Sequence, residues 1–240
     1  MRNIRKCIEW IVDLLFPRRC PVCDDIVPMQ EGLICMTCRS KIRYITSPRC
    51  QKCGKQLVDD TVIFCADCQT KRHFFDKGYA LYDYQSMKKS IYRFKYGGRC
   101  EYAKFYAEDL YRHLKDMPQL WDADVIIPVP LHRQRKKQRG YNQAELIAKE
   151  LGKLAQIPVC PDLVVRVRKT VPQKELDAFS RQNNLKKAFH ITSDVVKLNK
   201  TIIIDDIYTT GSTVDAISRE LKEHGVGDVY VLTLCVGEGI

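Results

Sequence analysis

The sequence lacks the features of several protein classes. No window approaches the roughly 18 uninterrupted apolar residues that a membrane-spanning helix needs. Glu9 and Asp13 interrupt the first apolar run, and no small-residue cleavage site follows it, which disfavours an export signal. With 45% apolar and 29% charged residues, the composition does not fit a disordered chain or a fibre. We therefore expect a globular cytoplasmic protein, for which contact with a membrane surface stays open.

Acidic residues are the smaller charged group. The 240 residues include 40 Lys and Arg and 29 Asp and Glu, which gives a net charge of +11. A charge of this size and sign predicts an anionic partner, such as a nucleic acid, a phosphorylated ligand or an acidic membrane surface. A basic surface that only keeps the protein soluble explains the charge equally well.

Cysteine, by contrast, is abundant. The chain has 12 cysteines, of which eight form four Cys-x-x-Cys pairs, and the second two pairs repeat the first two thirty residues later. The paired residues are Cys20, Cys23, Cys35, Cys38, Cys50, Cys53, Cys65 and Cys68. Without an export signal they are expected to be reduced and to bind metal. The remaining four, which have apolar neighbours, are expected to be buried: Cys7, Cys100, Cys160 and Cys235.

The spacing of the pairs predicts two zinc ribbons. Two cysteines separated by two residues reach one ion from a single turn, and two such turns give the closed tetrahedral cage of structural Zn²⁺. The first site would use the cysteines at positions 20–38 and the second those at 50–68, although a cross-braced pairing of the same ligands stays open. The metal is needed because about 55 residues rich in charges and turns bury too little apolar surface to fold alone.

The chain divides into two predicted domains, 1–72 and 73–240. Before the zinc ribbons, apolar spacing predicts a short helix over residues 4–16, which Pro17 ends. After them, strand-like apolar runs, one of them at residues 163–167, alternate with amphipathic helical segments. Such alternation is typical of an α/β domain in which helices flank a parallel sheet.

One strand of this sheet is expected to lead into a ligand site. Residues 201–204 form an apolar, β-branched run typical of a strand buried on both faces, and Asp205 and Asp206 follow it directly. The turn 209–213 then opens a helix, so its backbone N–H groups and hydroxyls form a cradle for a phosphate. The turn lacks the Gly-Lys-Ser/Thr ending of a nucleotide P-loop. Two acids beside a phosphate cradle predict a sugar phosphate as ligand.

This segment resembles the phosphoribosyl pyrophosphate (PRPP) signature of type I phosphoribosyltransferases, which is an apolar run, Asp-Asp and a Thr-Gly-x-Thr turn. Two further segments, Ile-Pro-Val-Pro-Leu-His at 127–132 and Arg-Gly-Tyr-Asn-Gln-Ala-Glu-Leu at 139–146, resemble the ComF family of competence-associated proteins. The tandem Cys-x-x-Cys pairs also resemble the N-terminal part of ComF-family proteins. The resemblance covers nearly the whole chain and implies a phosphoribosyltransferase-like fold behind a small zinc-ribbon domain.

The resemblance implies a PRPP site that uses Mg²⁺. Asp205 and Asp206 would bind the ribose hydroxyls and share the Mg²⁺ with the pyrophosphate. The turn after them would hold the 5′-phosphate through Thr209, Thr210, Gly211, Ser212 and Thr213. The loop that follows Ile127 would lie near the leaving group through Val129, Pro130 and Leu131. Positive charge at the leaving group would come from Arg133 or Arg139. Residues 169–184 would form the mobile hood of such enzymes.

The densest positive charge of the chain lies at residues 132–139. A solvated face, a segment that grips pyrophosphate and part of a nucleic-acid track are all open interpretations. The candidate nucleic-acid contacts are Arg135, Lys136, Lys137, Arg168 and Lys169. Earlier in the chain, Tyr92, Phe94 and Tyr96 alternate with cations, as in proteins that stack the bases of single strands. Packing is the more usual reason for such a pattern.

Two functions follow from these features. The first is a protein of DNA uptake and natural transformation that contacts single-stranded DNA, with DNA-uptake or helicase proteins as further partners. The second is an active phosphoribosyltransferase that transfers ribose 5-phosphate from PRPP to an unidentified acceptor. A fold of this kind does not by itself imply catalysis, so the sequence leaves open whether the protein is an enzyme.

Overall fold

A computed structural model of the protein describes residues 17–167, 188–192, 195 and 197–237. The predicted helix at 4–16, the predicted hood at 169–184 and the candidate contacts Arg168 and Lys169 lie outside these ranges. Within the described ranges, no helix is both long and apolar enough to cross a lipid bilayer.

The N-terminal region contains short elements arranged around the cysteines. These are a turn of 3-10 helix at Met29–Glu31 and the helices α1 (Met36–Arg39) and α2 (Ala66–Thr70), and each α-helix begins directly after a cysteine. Two isolated bridges, Arg19 with Ile26 and Arg49 with Gln56, recur at the thirty-residue interval of the sequence repeat. The repeat of the sequence is therefore also a structural repeat.

The C-terminal region alternates strands and helices. The strands are β1 (Lys77–Asp83), β2 (Val125–Pro128), β3 (Val164–Arg166), β4 (Phe189–Ile191), β5 (Lys200–Tyr208) and β6 (Asp228–Val236). The helices are α3 (Tyr84–Tyr96), α4 (Tyr102–Leu114), α5 (Pro118–Trp121), α6 (Arg133–Arg139), α7 (Gln143–Ala155) and α8 (Ser212–Glu223). The predicted alternation is present.

The main sheet has four strands in the order β1-β6-β5-β2, and every neighbouring pair is parallel. β5 lies between β6 and β2, and its residues Ile202, Ile203 and Ile204 have no exposed surface. A strand covered on both faces needs apolar residues at consecutive positions, which explains why this run does not alternate. The predicted parallel sheet flanked by helices is confirmed.

Residues 163–167 differ from the prediction. Val164–Arg166 form β3 as expected for a strand, but β3 pairs with β4 in a separate two-stranded antiparallel sheet. The apolar run is only a few residues long, and its length and composition do not fix which strand it joins.

The zinc-ribbon region packs directly on β1. Gly78 donates its N–H to Lys52 O at 2.6 Å, and a Cβ placed on Gly54 would lie 2.8 Å from Gly78 O. Gly54 also has a φ of 77°, so both its backbone conformation and its close approach to β1 require glycine. The buried core is continuous from the cysteines to the sheet. The division of the chain at residue 72 stays a prediction.

Candidate functional site

Each half of the N-terminal region brings four cysteine sulfurs together. Within each cluster the Sγ atoms all lie within 4.8 Å of one another. Cys23 Sγ lies 3.8 Å from Cys35 Sγ, and Cys53 Sγ lies 3.7 Å from Cys65 Sγ. Zn–S bonds of about 2.3 Å in a tetrahedron give sulfur–sulfur distances of this size. The sulfurs therefore fit structural Zn²⁺. The clusters are Cys20, Cys23, Cys35 and Cys38, and Cys50, Cys53, Cys65 and Cys68, so the grouping is sequential rather than cross-braced.

The remaining cysteines have different surroundings. Cys235 is fully buried, as predicted, and Cys160 is partly buried. Cys100 is exposed in the loop between α3 and α4, so the prediction of burial is wrong for this residue. Cys7 lies outside the described residues.

Asp24 connects the first zinc cluster to α4. It has a φ of 71° and holds the place in its turn that Gly54 holds in the second ribbon. Its carboxylate accepts hydrogen bonds from Arg99 at 2.8 and 2.9 Å and from the Tyr102 hydroxyl at 2.5 Å. Although burial opposes its ionisation, these donors lower the pKa of Asp24 below its ordinary value. The contacts hold a side chain in a backbone conformation that usually favours glycine.

The predicted acid pair lies where β5 extends beyond its neighbour β2. Pairing of the two strands ends at Pro128 and Ile204, and Val129 then donates its N–H to Ile204 O at 2.9 Å. Asp205 and Asp206 follow directly. Asp206 is 8% exposed and Asp205 is partly exposed. The acids therefore lie at the carboxyl end of the sheet, where open α/β folds bind ligands.

Two cations from distant parts of the chain face the acids. Lys95 Nζ of α3 lies 2.9 Å from Asp206 Oδ1, and these side chains are 17% and 12% exposed. Burial and the Asp206 carboxylate raise the pKa of Asp205 from an ordinary 3.8 to about 7, while the charges of Lys95 and Arg166 oppose this rise. The sequence motif did not reveal the contact of Lys95 with the acids because this lysine is far from them along the chain.

The turn between β5 and α8 has the form of an anion cradle. Gly211 has a φ of 73°, and a Cβ there would collide with the Tyr208 ring and hydroxyl. The hydroxyls of Thr210 and Ser212 lie 2.8 Å apart, and α8 begins at Ser212 without a capping side chain. Apart from Gly211, the residues at 209–213 are partly or fully exposed. Uncapped N–H groups at a helix start, together with exposed hydroxyls, are able to bind a phosphate.

The loop after β2 begins beside the acid pair. Val129 is buried next to Ile204, and Asn142 Nδ2 at the start of α7 donates to Val129 O at 3.0 Å. Pro130 and Leu131 follow and are partly exposed. Of this predicted loop, the structure therefore brings Val129 to the residue that precedes Asp205.

The predicted basic residues lie in α6. Arg133, Arg135, Lys136 and Lys137 are exposed, and Lys136 Nζ lies 3.3 Å from Glu145 Oε2. Arg139 ends the helix and contacts α3. Its guanidinium lies 4.8 Å from the centre of the Tyr96 ring and donates to the Tyr96 hydroxyl at 3.1 Å. Arg139 thus joins the basic helix to α3.

Comparison with known proteins places the chain among its relatives. A family model described as a double zinc ribbon domain matches residues 11–69. Competence protein F of Haemophilus influenzae is 32% identical over 222 residues, which cover 90% of this chain and 96% of that protein. The chain belongs to the competence protein F (ComF) family.

Further relatives of this ComF-family chain carry related names. DNA utilization protein YhgH of Salmonella typhimurium is 30% identical, covering 92% of this chain and 98% of that protein. Competence protein ComFC of Bacillus subtilis is 30% identical, covering 80% of this chain and 79% of that protein. The predicted family membership is confirmed, as is the N-terminal double zinc ribbon.

Similar solved structures include two phosphoribosyltransferases. Orotate phosphoribosyltransferase from Aeropyrum pernix has a TM-score of 0.35 and 17% identity, covering 66% of this chain and 68% of that one. Adenine phosphoribosyltransferase from Leishmania tarentolae has a TM-score of 0.38 and 12% identity, covering 83% and 85%.

Proposed function

We propose that this ComF-family protein binds PRPP with Mg²⁺ and handles single-stranded DNA in the cytoplasm during DNA uptake. The observation that supports PRPP as ligand is the acid pair in the part of β5 that extends beyond β2, followed by the Gly211 turn and the uncapped start of α8. Acids that accept hydrogen bonds and a cradle for a phosphate, placed a few residues apart, match a pentose with a 5′-phosphate.

Different residues of the site bind different parts of PRPP. Asp205 and Asp206 accept hydrogen bonds from the ribose hydroxyls, and the turn 209–213 binds the 5′-phosphate. Carboxylate oxygens are also the ligands that Mg²⁺ prefers beside substrate phosphates, so the same acids fit the metal. When bound, Mg²⁺ supplies positive charge against the pyrophosphate. Lys95 and Arg166 offset part of the negative charge of the acids.

Thermal unfolding tests this site. A ligand that binds only the folded state raises the midpoint temperature, and we expect PRPP with Mg²⁺ to do so for the wild type. The Asp205→Asn/Asp206→Asn variant is expected to show no ligand-induced shift, whereas Asp59→Asn, which changes an exposed acid of the second ribbon, keeps the full shift. Equal shifts in wild type and the double variant, or no shift in the wild type, contradict a PRPP site.

The proposed handling of DNA rests on charge and on the names of the relatives, which describe competence and DNA utilization proteins. The net charge is +11, and α6 presents four exposed cations. Proteins that neutralise phosphates lose affinity as salt rises. We expect single-stranded DNA to bind at about 50 mM salt and to bind much more weakly at about 200 mM. No binding at low salt, or affinity independent of salt, contradicts this role.

The second candidate function is phosphoribosyl transfer, which the complete acid pair and turn favour. In that reaction the bond between the anomeric carbon and the pyrophosphate oxygen breaks, and pyrophosphate leaves with the electron pair. The acceptor forms the new bond to the anomeric carbon and releases a proton. A screen of nucleobases and other nucleophiles for PRPP-dependent pyrophosphate release tests this function. Release that requires Asp205 and Asp206 supports it, and release at the uncatalysed rate with every acceptor contradicts it.

A further inference from the structure

Helix α3 carries a row of tyrosines and lysines on its outer face. Tyr84, Lys88, Tyr92 and Tyr96 follow one another at intervals of four residues and therefore lie on the same side of the helix. Together with the neighbouring Lys89 we call them the α3 stripe. The face that packs on the core consists of Met87, Ser90, Ile91 and Phe94. Tyr92 and Tyr96 are 64% and 59% exposed, so the core does not account for them.

The two exposed rings form an aromatic platform. Their centroids lie 5.1 Å apart, and their planes are tilted by 49°. Arg139 also contacts Tyr96, with its guanidinium over the ring and a hydrogen bond to the hydroxyl. Phe94, which the sequence pattern groups with these tyrosines, is fully buried, so the helix presents two of the three aromatic residues.

The stripe also carries cations that are available to an anion. Lys88 and Lys89 are exposed, and in the part of the chain that the structure describes neither side chain forms an ion pair or a hydrogen bond. Other cations of α3 have partners, since Lys95 pairs with Asp206 and Arg93 donates to Val22 O at 3.1 Å. The positive charge of this surface is therefore free at Lys88 and Lys89.

The stripe lies next to the candidate PRPP site and leads toward α6. It lines a surface cavity of about 580 Å³ whose other walls include Lys95, the partner of Asp206, and Ile207. From Tyr96 the surface continues through Arg139 into the basic helix at 133–139. Aromatic rings and cations thus follow one path past the acid pair.

We propose that the α3 stripe binds a single-stranded nucleic acid, with bases stacked on Tyr92 and Tyr96 and backbone phosphates at Lys88 and Lys89. The inference rests on the proposed handling of single-stranded DNA and names the surface that performs it. Single strands offer both a π-face at every base and a regular row of phosphates, and this stripe matches both. A membrane surface fits less well because the stripe has no aliphatic side chain to insert.

An abasic strand keeps the backbone phosphates but has no bases, so it distinguishes binding by stacking from binding by charge. Fluorescence anisotropy would compare a labelled oligothymidylate of about 20 nucleotides with an abasic strand of the same length. We expect the wild type to prefer the thymidylate at least about tenfold, because base stacking on aromatic side chains supplies that discrimination. Tyr92→Ala/Tyr96→Ala is expected to lose the preference, and Tyr92→Phe/Tyr96→Phe is expected to keep it because the rings remain.

The lysines are tested through the salt dependence. Lys88→Gln/Lys89→Gln is expected to reduce the slope of log affinity against log salt by about 1 to 1.5, since each lost phosphate contact removes about 0.7 for a single strand. Lys104→Gln/Lys153→Gln changes two exposed lysines on other helices and is the control, with an unchanged slope expected.

The outcomes separate the two proposals. Wild-type binding that neither the tyrosine nor the lysine changes affect overturns the stripe while it supports the proposed handling of DNA. No wild-type binding at low salt contradicts both. Binding to vesicles of anionic lipid that requires the stripe, with oligonucleotide binding unaffected by the same changes, also overturns the inference.

Discussion

Lys95 Nζ lies 2.9 Å from Asp206 Oδ1, and this ion pair joins the first helix after β1 to the acid pair of β5. Both side chains are mostly buried, where an unpaired charge is costly. Lys95 therefore holds the Asp206 carboxylate in place, at the boundary between the candidate PRPP site and the α3 stripe.

Removing the lysine of this pair is expected to destabilise the fold. Lys95→Met leaves the Asp206 carboxylate without its closest cation and should lower the free energy of unfolding by roughly 2 kcal/mol. Urea denaturation of the zinc-loaded protein measures the change. Lys88→Met is the matched control on the same helix, and its exposed lysine should cost less than about 0.5 kcal/mol. Equal stabilities of the two variants show that the pair contributes nothing.

Replacing Asp205 is expected to stabilise the protein above neutral pH. The folded state holds the Asp205 proton up to about pH 7, whereas an unfolded aspartate loses it near 3.8. Stability therefore falls as pH rises through this interval, and Asp205→Asn removes the fall. In buffer without Mg²⁺ the variant should gain roughly 3 kcal/mol relative to the wild type between pH 5 and pH 8, because about two pKa units lie between pH 5 and the folded pKa and each corresponds to about 1.4 kcal/mol.

Asp59→Asn is the control for this pH dependence. Hydrogen bonds from Thr61 lower the pKa of Asp59, so no stability change from its titration is expected between pH 5 and pH 8. If the stability difference between Asp205→Asn and the wild type is the same at both pH values, Asp205 does not titrate near neutrality in the folded protein.

The zinc content is expected to follow the two clusters. Native mass spectrometry should find two Zn²⁺ ions in each wild-type chain. Cys50→Ser removes one ligand of the second cluster and should leave one ion bound, with a large loss of stability because the ribbon depends on its metal. Cys100→Ser changes an exposed cysteine outside both clusters and should keep two ions. Loss of an ion from Cys100→Ser contradicts this assignment of ligands.

The turn at Gly211 is expected to tolerate no larger residue. Gly211→Ala combines an unfavourable φ with a collision against Tyr208, so it should reshape the turn and abolish PRPP binding. Gly140→Ala is a close control, since Gly140 has a φ of 82° but open space around it. That variant should lose about 1 kcal/mol of stability and still bind PRPP. PRPP binding by Gly211→Ala as tight as by Gly140→Ala would place the phosphate elsewhere.

The parts of the site that depend on neighbouring residues could be predicted from the sequence. The Cys-x-x-Cys turns and the order of buried strand, acid pair and glycine turn are each set within a dozen residues. The structure groups the cysteines as the pattern predicts, whereas β5 does not end before the acids but continues through them to Tyr208. Short-range backbone geometry determines a Cys-x-x-Cys turn or the start of a helix. These features therefore carry a clear signal without any knowledge of packing.

Contacts between elements that are distant along the chain could not be predicted from the sequence. The pairing of Lys95 with Asp206, the hydrogen bonds from Arg99 to Asp24 and the antiparallel pairing of β3 with β4 depend on how separate elements pack. The alternation at Tyr92, Phe94 and Tyr96 was ambiguous for the same reason. Within a helix, residues two apart lie on different faces, so Phe94 enters the core while both tyrosines remain outside.

Isothermal titration calorimetry with PRPP and Mg²⁺ tests the central claim most directly. The wild type and Gly140→Ala should bind PRPP with one site per chain. Asp205→Asn/Asp206→Asn should give no heat beyond dilution while it remains folded and keeps both Zn²⁺ ions. Equal binding by the double variant and the wild type, or no binding by the wild type, would contradict a PRPP site at the end of β5.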